Sequence, residues 1–161
     1  MRVSTITAAL TTASLASARI IGIAAPSTLA PNTTFTLTLL TENYIQTVAD
    51  ISVAWGFQLP TTANPTGYPY TLGSFADSAY LGPNKSNTLE NVTISATVPA
   101  GLASSSWAGK DVVLSAGVHS LYGASGGPVV TGFNVTIKIG EETGSEGVRS
   151  QGQGWVENGS C

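Results

Sequence analysis

The sequence predicts an all-β protein: an immunoglobulin- or fibronectin-like antiparallel β-sandwich of about seven strands. Three observations carry that expectation. Apolar and polar residues alternate with period two along much of the chain, giving a strand one buried and one wet face. Gly-, Pro- and Asn-rich turn signals separate these runs at short intervals. Beyond residue 18 Thr, Ser, Val and Gly dominate, and the Leu/Ala/Glu/Lys mixture of helices is absent.

The elements follow in order. A first strand runs from Ile20 to Ala24. In the second, Phe35, Leu37 and Leu39 alternate with Thr34, Thr36 and Thr38. The third, Val48 to Phe57, is less regular, and the fourth, through Tyr70 to Tyr80, is broken around Gly73. The fifth sets Val92, Ile94, Ala96 and Val98 against Asn91, Thr93, Ser95 and Thr97. Val112, Leu114, Ala116 and Val118 form the inward row of the sixth, and Phe133, Val135, Ile137 and Ile139 that of the seventh. Pro31-Asn32, Asn64-Pro65, Gly82-Pro83-Asn84, Pro99-Ala100-Gly101 and Gly126-Gly127-Pro128 mark the turns. The disulfide and core Trp of antibody domains are missing, so the expectation concerns architecture alone.

The two ends read differently. Arg2, an uncharged Ala/Thr/Leu/Ser stretch and the small-x-small run Ala16-Ser17-Ala18 identify residues 1–18 as a signal peptide, with the mature chain starting at Arg19. Its apolar run is too short and too rich in Ser and Thr to insert as a membrane span. Residues 19–140 form the β-sandwich domain. Residues 141–161, rich in Gly, Ser, Gln and Glu, are expected as a disordered tail in which Trp155 is incidental. Cys161 is the single cysteine, so the fold rests on its hydrophobic core without an intramolecular disulfide. The expected product is a secreted monomer.

Charge and motif content exclude several functions. Only 9% of residues are charged, the net charge is -3, and Lys and Arg are scattered singly. Nucleic-acid binding needs clustered cations and is excluded on that ground. No spacing suggests a metal site or a cofactor-binding loop. His119 falls on the outward phase of its strand with no adjacent acid. Glu42, Asp50, Asp77, Glu90 and Asp111 are isolated and expected as solvated edge charges. The chain reads as a binding protein, not an enzyme, with no catalytic or metal-ligating residues and no cofactor.

Five sequons, at Asn32, Asn84, Asn91, Asn134 and Asn158, are the glycosylation candidates. With strands running alternately up and down, the loops after the second, fourth and sixth strands share one pole. That pole gathers Tyr44, Ile45 and Gln46, Tyr80, Leu81 and Lys85, and Leu121 and Tyr122, a mixture of apolar area and hydrogen-bonding ends suited to a protein partner. The alternative is that the tyrosines close the core. Tyr68, Tyr70 and Trp107 at the opposite pole keep open a carbohydrate-binding or cell-wall-associated module.

The stretches Ala18-Arg19-Ile20-Ile21-Gly22-Ile23, Glu42-Asn43-Tyr44-Ile45-Gln46, Tyr80-Leu81-Gly82-Pro83 and Ser120-Leu121-Tyr122-Gly123-Ala124 give the chain a family likeness. In order and spacing they resemble the necrosis-inducing secreted protein family of fungal plant-pathogen effectors, over roughly residues 19–140. The resemblance implies a secreted virulence factor that binds plant receptor-associated immune kinases, both receptor-like kinases and receptor-like cytoplasmic kinases. It further implies lowered kinase activity, suppressed pattern-triggered immunity and host cell death, with action inside the host cell after delivery. It carries over no catalytic residues.

Overall fold

The computed structural model describes residues 17–158. The expected leader as far as Ala16, and Cys161, lie outside them. Ten strands follow: β1 (Ser17–Pro26), β2 (Thr28–Leu29), β3 (Thr34–Tyr44), β4 (Val48–Gln58), β5 (Ser74–Tyr80), β6 (Val92–Thr97), β7 (Asp111–Tyr122), β8 (Gly127–Ile139), β9 (Gly147–Arg149) and β10 (Trp155–Glu157). One sheet has the order β6-β3-β1-β9 and the other β10-β8-β7-β4-β5, with β2 added parallel to β8. The seven expected strands are β1 and β3 to β8. β5 pairs with β4, the fibronectin-like variant in which three principal strands face four.

The alternation predicts the core directly. Phe35, Leu37 and Leu39 of β3 and Ile94 and Ala96 of β6 face Val112, Leu114 and Ala116 of β7 and Phe133, Val135 and Ile137 of β8. Side chains as completely buried as Phe57, Phe133 and Leu114 contribute about 1.5–3 kcal/mol each. Trp55 on β4 is 2% exposed and belongs to this core. The core tryptophan read as missing is therefore present on the third principal strand, where immunoglobulin domains carry theirs.

Three differences from the sequence reading have one cause. The outer face of the β4/β7/β8 sheet is covered rather than wet. The loop of residues 59–73 lies over β4, so close that a Cβ on Gly56 would meet the Leu72 carbonyl oxygen at 2.6 Å. The chain beyond Gly140 covers β8, so outward Ser115, Gly117 and Gly132 are buried as well. Residues 141–158 are thus an ordered clasp, not a disordered tail: β9 pairs with β1 and β10 with β8.

One side chain seats the end of the clasp. Gly117 and Gly132 are direct cross-strand partners on the outward phase, and they leave a slot floored by backbone. The Trp155 indole fills it; a Cβ on Gly132 would lie 2.0 Å from its Cε2. Tyr70 closes the slot at a ring-centroid distance of 5.4 Å. At the other end, β1 begins at Ser17. Ser17 and Ala18, expected as the end of the leader, pair with Tyr44 and Asn43.

Candidate functional site

The expected pole forms. The β3–β4 turn, the β5–β6 connection and the β7–β8 hairpin emerge together, because β4 pairs with β7 through Val48 and Tyr122 and with β5 through Ser52 and Tyr80. Tyr44 and Tyr122 end their strands half-buried and meet edge to face, with centroids 5.9 Å apart and planes at 89°. The Arg19 guanidinium lies 4.6 Å from the Tyr44 ring centroid. It donates to Glu42 Oε1 through Nη2 at 2.8 Å and Nε at 3.1 Å. This cation–π and ion-pair brace fixes the platform; its exposed ion pair adds little stability by itself.

Tyr80 does not join the pair. Its ring lies over Gly82 (φ 54°), where a Cβ would meet Tyr80 Cε1 at 2.3 Å, and it stays 72% exposed. Ile45, at the tip of the β3–β4 turn, is 94% exposed. Gln46 beside it is exposed, and Lys85 ends the short 3-10 turn Pro83–Lys85 on the surface. Two expected contact residues fall elsewhere. Leu81 is 3% exposed and packs in the core, because the chain turns inward where its amide bonds the Ile51 carbonyl. Leu121 is a half-buried strand residue, since the β7–β8 hairpin extends to Tyr122 and Gly127 and takes residues 119–121 out of the loop.

Beneath the platform lies a group the sequence reading misplaced. Asp50 is 3% exposed, not a solvated edge charge. Its carboxylate accepts the Ser120 hydroxyl at 2.6 Å, and its N–H donates to Ser86 Oγ at 2.6 Å. Burial pushes the Asp50 carboxyl above its ordinary value, against the opposing pull of hydrogen bonds from the Ser120 hydroxyl, the Asn87 backbone and the Ser86 hydroxyl. The same burial, together with the charge of Asp50, raises the Tyr122 phenol. The register shift between Asp50 and Ser52 turns the carboxylate inward. Asn87 completes the layer: its Oδ1 accepts the Ala18 N–H at 2.8 Å and the Ser17 hydroxyl at 3.0 Å.

The aromatics of the opposite pole divide into two groups. Trp107 is half-buried, with Phe75 against it at 5.8 Å, and shares a cleft of about 290 Å³ with Tyr68. Tyr70 leans instead on Trp155. Among the described residues no group of three or more His, Cys, Asp or Glu could hold a metal ion, and no helix is long and apolar enough to cross a membrane. The sequons also separate. Asn32, Asn84, Asn91 and Asn158 are exposed, whereas Asn134 is half-buried under the clasp.

Comparison with known proteins places this architecture. The profile of the Nis1 family matches residues 16–138. The chain belongs to the Nis1 family. It is 46% identical over 137 residues to necrosis-inducing secreted protein 1 of Colletotrichum higginsianum, covering 85% of this chain and 89% of the relative. It is 41% identical over 148 residues to the protein of the same name from Colletotrichum orbiculare, covering 92% and 86%. Both relatives are named as secreted, and this Nis1-family chain is accordingly a secreted protein.

Proposed function

We propose that this chain is a secreted effector that induces necrosis and works by contact rather than turnover, with the tyrosine pole as its contact surface. The partners are plant receptor-associated immune kinases, of the receptor-like and receptor-like cytoplasmic classes. Binding lowers their activity, suppresses pattern-triggered immunity and leads to host cell death after delivery to the host cell. Necrosis induction is supported by the two relatives named for it. The observation that carries the choice of surface is the 94% exposure of Ile45 and 72% exposure of Tyr80 beside a platform braced by Arg19, Tyr44 and Tyr122. Exposed aliphatic and aromatic side chains at a braced platform have the composition of a protein-contact patch.

The test is expression in leaves of the wild type and of Ile45→Asp, scoring the elicitor-triggered oxidative burst and cell death. The substitution leaves the core untouched. Suppression by the wild type with a restored burst in the variant is expected. Equal suppression by both proteins removes the pole from the mechanism, and an unaffected burst with the wild type removes the kinase reading.

A further inference from the structure

We propose that signal peptidase cuts this chain between Ala16 and Ser17, two residues earlier than the Ala16-Ser17-Ala18 pattern suggests, and that the new Ser17 terminus organises the tyrosine pole. Both bonds satisfy the enzyme's preference, because Ser14-Leu15-Ala16 is also a small-x-small run. Cleavage precedes folding, so the sequence decides which bonds can be cut and the fold decides which product is complete. Water adds to the Ala16 carbonyl and the C–N bond breaks. Ala16 departs as a carboxylate, and Ser17 keeps the nitrogen as an α-ammonium.

Only the Ser17 product is complete. Ala18 is 1% exposed, inside the core. Ser17 and Ala18 extend β1 against Tyr44 and Asn43. The Ser17 hydroxyl contacts the Gln46 carbonyl and Asn87 Oδ1, and the Ala18 N–H donates to Asn87 Oδ1. Those donors hold the side chain of Asn87, whose backbone sits at a φ of 52°, a left-handed conformation that asparagine adopts more readily than most residues. Its backbone in turn bonds Asp50, linking β1 through the 81–91 connection to the buried carboxylate. Cutting after Ala18 deletes both donors and leaves Asn87 Oδ1 and a hole in the core edge behind. The family match, residues 16–138, spans both residues. The inference does not rest on the kinase reading.

The experiment expresses the full-length chain in a eukaryotic secretion host and recovers the protein from the medium. N-terminal sequencing and intact mass after enzymatic deglycosylation should give Ser17 as the main first residue. Arg19 as the main first residue overturns the cleavage assignment. For the organising role, Asn87→Ala should speed amide exchange across residues 81–90 about tenfold, the loss of about one hydrogen bond. Asn87→Asp, which keeps an acceptor, should retain protection. If Asn87→Ala exchanges like the wild type, or Asn87→Asp like an unprotected loop, Asn87 does not tie the pole to the terminus.

Discussion

Gln58→Leu is the most direct probe of how the loop of residues 59–73 is held over the sheet. Gln58 is 6% exposed. Its Oε1 accepts the Tyr68 N–H at 2.7 Å, while Nε2 donates to the Thr71 carbonyl at 2.8 Å and to Ser115 Oγ at 3.0 Å. Gly67 and Gly73, both at positive φ, lean on the same side chain; a Cβ on Gly73 would approach Gln58 Cγ to 2.4 Å. Leucine keeps most of the volume and removes these three bonds, with a longer one from Nε2 to the Tyr68 carbonyl at 3.4 Å. At about 1 kcal/mol net for each, with part of the freed backbone recovering water, the loss is about 3 kcal/mol. For a domain of this size that lowers the melting temperature by roughly 10 °C. Differential scanning calorimetry reads the loss, and hydrogen exchange should place it in residues 59–73 rather than at the pole. A fall under about 2 °C, with exchange in that loop unchanged, would refute the reasoning.

Three further outcomes follow. Gly132→Ala should eject the Trp155 indole, red-shifting tryptophan emission, speeding proteolysis of residues 150–158 and costing about 1–2 kcal/mol; an unshifted spectrum contradicts the slot. Asp50 holds its proton more tightly folded than unfolded, so the native state binds more protons between the ordinary value of 3.8 and its raised value. Stability from this group is therefore present below that window and lost as pH rises through it. Asp50→Asn, which keeps an acceptor for Ser120, should remove the loss and gain on the wild type as pH rises; parallel pH profiles contradict it. Asn134 Nδ2 lies 2.7 Å from where a Gly154 Cβ would sit, so a glycan there and a docked clasp exclude each other. Protein glycosylated at Asn134 should lose its clasp to protease faster than protein glycosylated only at Asn91. Equal rates would mean the clasp docks elsewhere.

What the sequence made legible depended on solvent. β3 and β6 have one wet and one dry face, and their period-two pattern survives into the burial of Phe35, Leu37, Ile94 and Ala96. β4 read as irregular because Gly56 and Gln58, on its outward phase, are covered by the 59–73 loop. The clasp leaves no periodic signal because its composition is polar and it is held by backbone pairing with β1 and β8, by Val148 against the core and by one indole. The signal for it lies in another part of the chain, in Gly117 and Gly132 standing opposite each other with no side chains of their own. Asp50 was misplaced because a one-residue register shift reverses the face that alternation assigns. The pole was legible from topology alone, but the division between exposed Ile45 and Tyr80 and buried Leu81 was not. It turns on backbone direction at Gly82, which no periodicity encodes.

The central claim is that the pole meets the partner. Its most direct test is calorimetric titration of the secreted protein, and of an Ile45→Asp/Tyr80→Ala double variant, into the purified kinase domain of a plant receptor-associated immune kinase. The account predicts binding by the wild type and at least a tenfold weaker affinity, about 1.4 kcal/mol, in the double variant at an unchanged melting temperature. Equal affinity for the two proteins would contradict it.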